Sequence, residues 1–267
     1  MIKTIEVNTI EDASKLLIDH RYDDNIGRLR SDYLYRGVTD TEFDLKTSLF
    51  RNCGEIQDRL EPSILRYFTK YGIMDDPSIA ASVWRQMIMG QHHGLPTRLL
   101  DWSHSSLIAL HFATAEDHFE RIDERDGVVW RIDAKELASL LPENYRVKLS
   151  SQLTDIFSVD SLSEVVNSTA QYDSDMKNKS MVIIEPPSSD QRIINQYSYF
   201  SIVPMGITDI GKFLDENTEN TVRYVIKKNI RWDIRDMLDQ LNISERIAFP
   251  GLDGLSKWIA RHYYVRR

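Results

Sequence analysis

The sequence has 267 residues, enough for one large domain, and its apolar share of 42% and charged share of 28% are those of an ordinary globular protein. A net charge of −8 argues against a protein that coats nucleic acid or an anionic membrane through its overall field, although it allows a local basic groove. The single cysteine, Cys53, can form neither an intrachain disulfide nor a zinc knuckle. No apolar run approaches the ~20 residues of a membrane span, and the first residues lack the pattern of a signal peptide. We therefore expect a cytoplasmic protein with no membrane segment.

Apolar periodicity and capping residues predict the elements of the first half of the chain. In chain order they predict a strand, a helix, a strand, two helices and a further strand or extended turn over residues 2–7, 11–20, 33–37, 62–71, 77–90 and 97–102. Thr9 is placed to cap the first helix, which ends at His20, and Pro77 is suited to the first turn of the later helix. Residues 91–96 then form a rigid connection because they contain both Gly94 and Pro96.

The second half of the chain predicts a similar alternation. A helix, a strand, a strand, a helical turn, two strands and two helices are expected over residues 107–115, 127–132, 181–185, 190–196, 197–203, 221–226, 230–241 and 252–263. Ser103 or Ser105 can cap the first of these helices. Strands scattered among unevenly placed helices favour an α+β fold over a doubly wound sheet.

Residues 144–180 interrupt this pattern because polar residues dominate there. We expect an insertion at the surface, mobile in part. It would lie within one domain that spans residues 1–267 and whose core occupies about residues 30–260.

Three stretches of the sequence carry a resemblance to a known family. The first is Leu34-Tyr35-Arg36-Gly37 followed by residues 47–51, the second is Gln91 to Ser103 with the helix after it, and the third is residues 249–255. Together they resemble the FRG-domain family, named for its (Phe/Tyr)-Arg-Gly motif, and they span residues 34–258. Membership of this family does not by itself imply an activity.

A second, shorter pattern is similar to that of ADP-ribosyltransferases. An aromatic-Arg-Gly strand end at Arg36 is followed by Ser103 ahead of an apolar helix, and then by Gln196 ahead of a late strand. This resemblance implies an ADP-ribosyltransferase-like α+β fold, with a mixed or split antiparallel sheet and flanking helices. It also implies that NAD is the substrate and that no metal is needed.

The chemistry of ADP-ribosyl transfer gives each of these residues a task. The bond between nicotinamide and ribose breaks through an oxocarbenium-like centre, as in glycoside cleavage. The guanidinium of Arg36 can hold the pyrophosphate or the adjacent ribose through paired hydrogen bonds, and Gly37 can let the ligand approach the backbone. The Ser103 hydroxyl and the aromatic face of Tyr35 or Trp102 can fix the nicotinamide end.

The positive charge that develops on the ribose needs an acceptor nearby. Gln196 can orient a ribose hydroxyl through its amide oxygen, but it lacks the full charge of a glutamate. Glu185, on the preceding predicted strand, could supply a carboxylate if the fold brings it close. We also expect His93 and Asp101 among the contacts to NAD.

Each of these residues also has a purely structural interpretation. Arg36 can simply pair with Asp101 to join two loops. Trp102 suits the core, and Ser103 suits a helix cap. A basic segment near the C-terminus, comprising Arg223, Lys227, Lys228, Arg231 and Arg235, suits either a solvated face or a contact with nucleic acid.

Two hypotheses of function remain open on the sequence. The first is an NAD-binding enzyme that transfers ADP-ribose to a macromolecular acceptor, either protein or nucleic acid, or hydrolyses NAD. A toxin or phage-defence effector with an inhibitory partner protein would fit this family. The second is a non-catalytic module that binds a nucleotide, nucleic acid or protein at a cleft between Arg36 and Trp102. Convergence of Arg36, Ser103 and Gln196 (or Glu185) on one pocket would favour the enzyme.

Overall fold

The structure, a computed structural model, describes residues 1–18, 21–24, 26–188 and 190–266. Its strands are β1 Lys3–Val7, β2 Arg21–Asp23, β3 Arg28–Arg30, β4 Tyr33–Val38, β5 Leu99–Ser103, β6 Gly127–Asp133, β7 Phe157–Ser158, β8 Val182–Glu185, β9 Ser198–Ile202 and β10 Val222–Ile226. Its α-helices are α1 Ile10–Leu17, α2 Ser48–Cys53, α3 Gln57–Gly72, α4 Val83–His92, α5 Ser106–Thr114, α6 Ala134–Ser139, α7 Glu143–Ser151, α8 Val159–Val165, α9 Thr169–Met176, α10 Gln191–Asn195, α11 Ile210–Asn217, α12 Arg231–Gln240, α13 Glu245–Ala248 and α14 Leu252–His262.

One mixed sheet organises the fold. Its strand order is β1-β10-β6-β4-β5-β9-β8-β7, and β2 and β3 form a separate hairpin. The outer pairs β1–β10 and β7–β8 are parallel, whereas the inner pairs are antiparallel. The fold is therefore a mixed α and β architecture, as the sequence predicts.

The sheet nearly divides between β4 and β5. These strands share a single pair, Tyr35 with Ser103, among the described residues. On either side, β4 pairs with β6 along its whole length, and β5 pairs with β9 along its whole length. The backbone groups of β4 and β5 beyond the shared pair therefore diverge and leave a gap at the centre of the sheet.

Helix α5 packs very closely on β4 and β6. A Cβ atom added at Gly37 would lie 1.9 Å from the carbonyl oxygen of Ala109, and one added at Gly127 would lie 2.3 Å from that of Ala113. Only glycine leaves room for a helix backbone at this distance. Helix α5 is buried between this part of the sheet and α12, with which Leu110 shares an apolar cluster.

The polar stretch at residues 144–180 is part of the core, so the expectation of a surface segment is wrong. It folds into α7, β7, α8 and α9, and Tyr145, Phe157 and Tyr172 are completely buried. They share one apolar cluster with Trp84 of α4. These elements are short, and each buries only a few apolar side chains among polar ones, so no periodicity was visible.

Other boundaries differ in ways that have local causes. The helix predicted from Pro77 is broken by the extended residue Ser82, which separates a 3₁₀ turn at Pro77–Ala81 from α4. Helix α3 begins before Pro62, and the predicted end of the first helix at His20 lies outside the described residues. Helices α2, α11 and α13 were not predicted, and neither was the hairpin of β2 and β3. No helix in the described ranges combines the length and apolarity needed to cross a membrane.

Candidate functional site

A cleft of about 240 Å³ opens where β4 and β5 diverge. It is bounded by the end of β4, by β5, by the start of α5 and by α10, and we call it the central cleft. Most of the side chains expected at the site line it, namely Tyr35, Arg36, Gly37, Asp101, Trp102, Ser103 and Gln196. The fold thus brings Arg36, Ser103 and Gln196 to one cavity from three separate parts of the chain.

Arg36 pairs with Asp101 through only one of its guanidinium nitrogens. Nη1 donates to the Asp101 carbonyl oxygen at 2.8 Å and to its carboxylate Oδ2 at 3.3 Å. Nε is buried and has no hydrogen-bond partner among the described residues. Burial lowers the pKa of the guanidinium and the charge of Asp101 opposes that effect, while Arg51 adds positive charge nearby. Asp101 thus leaves two donors of Arg36 unused, Nε and Nη2, which we call the free edge of the guanidinium.

A second cavity, of about 600 Å³, adjoins the central cleft at Arg36, and we call it the outer cavity. The two cavities share Arg36, Gly37 and Phe112. Lys46 and Arg51 add positive charge to its wall, and Glu42 and Asp44 add negative charge. The two cavities together are large enough for a ligand that is too long for the central cleft alone.

Ser103 is buried at the base of the cleft, and its hydroxyl proton is already used. Its Oγ donates to the carbonyl oxygen of Gln196 at 2.6 Å and accepts from the backbone N–H of Ser105 at 3.0 Å. Ser105, not Ser103, is the N-cap of α5. A hydroxyl has two acceptor lone pairs, so Ser103 can still accept one hydrogen bond from a ligand.

Gln196 reaches the cleft because the chain reverses sharply between α10 and β9. Tyr197 adopts the left-handed conformation, with φ of 48°, and thereby ends α10. The Gln196 Nε2 donates to the Ala248 carbonyl oxygen at 2.9 Å. This bond fixes the amide so that its oxygen remains available as an acceptor.

The aromatic residues at the site belong mainly to the core. Trp102 is 3% exposed, and its indole nitrogen donates to Ser201 at 3.1 Å. Tyr35 is equally hidden and packs in the cluster beneath α5. Both line the cleft, but each is almost completely buried, so neither offers an exposed ring face on which a ligand could stack.

Two candidates from the sequence lie outside the cleft. His93 is exposed at the C-terminal end of α4, where its ring contacts that of His92. Glu185 is exposed at the end of β8, two strands away from β5, and does not line the central cleft. Neither is therefore placed to contact a ligand held by Arg36 and Gln196.

Arg98, which follows Thr97 in the second motif, has a structural role that the sequence did not suggest. It is buried, and its guanidinium bonds to both carboxylate oxygens of Glu61 and, at 2.8 Å, to Asp173. These bonds join α3 and α9 to the start of β5. The motif therefore combines a carboxylate that lines the cleft, Asp101, with a buried arginine that anchors the strand carrying it.

Two of the five residues in the basic segment near the C-terminus, Arg231 and Arg235, are internal. Arg231 and Arg235 are each 1% exposed, so neither a solvated face nor a nucleic-acid surface describes them. Arg235 contacts Glu245 and donates to Nδ1 of His111 at 3.0 Å. Arg261 joins the same cluster through Glu245. The cluster fixes α13 and α14 against α5 and α12.

Comparison with known proteins identifies one family. The family model of the FRG domain matches residues 31–121 of the chain. The match covers the first two motifs and every residue of the cleft contributed by β4, β5 and α5. Gln196 and the motif at residues 249–255 lie beyond it. No curated protein and no solved structure matched the chain significantly.

Proposed function

We propose that this chain binds NAD across the central cleft and the outer cavity and cleaves the bond between nicotinamide and ribose. The ADP-ribose would pass to a macromolecular acceptor, protein or nucleic acid, or to water. The observation that carries this proposal is that Arg36 lines both cavities while Asp101 leaves its Nε and Nη2 unused. A guanidinium edge of this kind matches the paired oxygens of a pyrophosphate.

The divided sheet gives this proposal a second support. The resemblance to ADP-ribosyltransferases implies a split sheet, and β4 and β5 separate after a single shared pair. Arg36 and Ser103 lie on the two strands that separate, and Gln196 lies just before the partner strand of β5. The order along the chain that the resemblance predicts thus corresponds to a shared location in the cleft.

The residues of the cleft suggest how the bond would break. Ser103 can accept from the carboxamide N–H of nicotinamide, and Gln196 can accept from a ribose hydroxyl. The electron pair of the glycosidic bond leaves with nicotinamide, which becomes neutral, and the positive charge moves to the ribose. A nucleophile on the acceptor then bonds to that ribose carbon and releases its proton.

The cleft offers only modest electrostatic help to this step. Its one carboxylate among the lining residues is Asp101, and that group already serves Arg36 and Gln91. A neutral amide at Gln196 stabilises the oxocarbenium-like charge less than a carboxylate would. We therefore expect slow turnover, with a protein acceptor, a nucleic acid or water receiving the ADP-ribose.

Calorimetry with NAD and measurement of nicotinamide release would test the proposal. Arg36→Ala should weaken NAD binding and lower release, because it removes the paired donors to the phosphates. Arg30→Ala, at an exposed arginine of β3, is the matched control and should leave both unchanged. No NAD binding by the wild type, and no release in the presence of cell lysate as a source of acceptors, would rule out the transferase.

A non-catalytic nucleotide-binding module is the second candidate. Two observations favour it. The Ser103 hydroxyl already donates its proton to the Gln196 carbonyl oxygen, and the Gln196 amide donates to the Ala248 carbonyl oxygen rather than to a catalytic partner. NAD binding without nicotinamide release, insensitive to Gln196, would select it. A role as a toxin or defence effector, with an inhibitory partner, remains the biological setting that the resemblance implies.

A further inference from the structure

Gln91 is a cleft residue to which the motifs assign no role, and both ends of its amide are in use. It lies in the last turn of α4 and lines the central cleft. Its Nε2 donates to both carboxylate oxygens of Asp101, at 3.2 and 3.1 Å. Its Oε1 accepts from the Thr97 hydroxyl at 2.6 Å. Because Thr97 is buried, this second bond ties the amide to the interior of the protein.

The amide therefore restrains a carboxylate that would otherwise have freedom to move. The Asp101 side chain is 52% exposed, and its bond to Arg36 is a partly exposed ion pair of the kind that contributes little by itself. Two further hydrogen bonds, both donated by Gln91 Nε2, select one orientation of the carboxylate. In that orientation Asp101 bonds to Nη1 of Arg36 and leaves Nε and Nη2 unused.

Joining α2 to the start of β5 does not require the donor end of Gln91. Thr97 is already tied to α2 by three bonds, in which its carbonyl accepts from the Leu49 N–H at 3.0 Å and the Ser48 hydroxyl at 3.2 Å, and its N–H donates to the Ser48 hydroxyl at 3.0 Å. The connection between α2 and the start of β5 therefore persists without the Nε2 group. What that group adds is the position of Asp101.

We propose that Gln91 is a positioning residue, which orients Arg36 through Asp101 so that the free guanidinium edge can take the pyrophosphate of a dinucleotide. The identity of the ligand rests on the proposed function, but the relay from Gln91 to Arg36 does not. Side-chain order at Arg36 can be measured without any ligand, so the two ideas can fail separately.

The variants Gln91→Glu and Gln91→Leu test the relay. Gln91→Glu keeps an acceptor for Thr97 and places a like charge beside Asp101, whereas Gln91→Leu removes both bonds at similar volume. Gln191→Glu is the control, since Gln191 is exposed and its Nε2 donates to Asn195 instead. The measurements are the ¹⁵N spectrum of the Arg36 guanidinium and the affinities for inorganic pyrophosphate and for NAD.

Both Gln91 variants should change or broaden the Arg36 Nε–H resonance in the free protein. We expect the affinity for pyrophosphate to fall by about tenfold, which corresponds to roughly 1.4 kcal/mol. Gln191→Glu should match the wild type in both measurements. An Arg36 resonance that is unchanged in both folded variants would overturn the relay. If the resonance changes but the wild type binds neither pyrophosphate nor NAD, the relay stands and the proposed function fails.

Discussion

Gly37 has a different physical role from the one its motif suggests. The sequence predicts that it lets a ligand approach the backbone, and it does line the cleft. The packing of α5, however, is what requires a glycine here, because a Cβ atom would lie 1.9 Å from the Ala109 carbonyl oxygen and 2.5 Å from the Ala113 nitrogen. The third residue of the motif therefore fixes the helix behind Arg36, and so fixes the back wall of the cleft.

Gly37→Ala should destabilise the protein because a helix backbone cannot yield as a flexible side chain can. We expect a loss of about 1–3 kcal/mol in the free energy of unfolding, or more if α5 is displaced. Urea denaturation would measure it. Gly211→Ala is the matched control, since its Cβ would meet its neighbours at an ordinary 3.5 Å within α11. Equal stability of the two variants would show that α5 is not held at this distance.

Gln196→Glu separates stability from turnover at the cleft. The carboxylate would restore negative charge near the ribose, so nicotinamide release by the folded variant should hold or rise if Gln196 faces the reacting centre. The same change loses the donor to the Ala248 carbonyl and sets two acceptors against each other. We therefore expect a loss of about 1–3 kcal/mol in stability. Release that falls in the folded variant while NAD binding is retained would contradict the assigned role.

The cleft could be predicted from the sequence only where a motif named its residues. The pair between Arg36 and Asp101 was anticipated as a structural alternative and is confirmed. Gln91 was missed because its contacts depend on how a helix end lies over a strand, which no local pattern encodes. His93 was included because it lies within the second motif, but a motif does not give the direction of each side chain, and His93 is exposed to solvent.

At the scale of the element, helix α5 supports the cleft from behind. The sequence shows an almost continuous apolar run there, and Leu110 is completely buried. Leu110→Ala should lower the free energy of unfolding by about 2–5 kcal/mol, because it leaves a cavity in a close-packed interface. Leu252→Ala, at a side chain that is 79% exposed on α14, should change it by less than about 0.5 kcal/mol. A loss of that small size at Leu110 would mean that α5 is not packed as described.

Elements were predicted well where a strand or helix buries a whole face, and poorly where it buries a few side chains. Strand β6 is buried along its length, and its limits agree with the sequence within one residue. Helix α9 buries Tyr172 and Met176 among polar residues, so its pattern resembled that of a loop. Tyr172 nevertheless donates to the Ile202 carbonyl and accepts from the Val182 N–H, which joins α9 to β8 and β9. Such a long-range bond has no trace in the local sequence.

At the scale of the whole molecule, a buried polar cluster links the C-terminal helices to the cleft. Arg261 bonds to both carboxylate oxygens of Asp239 and to Glu245, and Glu245 also contacts Arg235. This cluster fixes α13, whose Ala248 carbonyl holds Gln196. Removal of one member would leave an uncompensated buried charge, which is strongly destabilising. The C-terminal helices therefore determine part of the geometry of a cleft that the first half of the chain mostly forms.

His111 makes the stability of this cluster depend on pH. Burial, with the nearby charge of Arg235, lowers its pKa from 6.5 to about 3, so the folded protein keeps it neutral as an acceptor for Arg235. Burial alone would raise the pKa of Glu245, but Arg261 and Arg235 outweigh that effect and lower the pKa from 4.5 to about 2. The stability that ionised Glu245 contributes is therefore lost only as the pH falls below about 4.5. Between pH 6.5 and pH 4.5, therefore, His111 is the member of the cluster that gains a proton on unfolding.

This difference in proton uptake predicts the direction and the size of the effect. Above about pH 6.5 the contribution of neutral His111 is complete, and below it the unfolded state binds a proton that the folded state does not, so stability falls as the pH falls. From about pH 6.5 to about pH 5 the loss should reach about 2 kcal/mol. His111→Gln, which keeps an acceptor for Arg235, should reduce the pH dependence by that amount in urea denaturation at both pH values. His118→Gln, at an exposed histidine, is the control and should keep the pH dependence of the wild type. If His111→Gln retained the full loss between these pH values, His111 would have to titrate in the folded protein, and the cluster would not hold it neutral.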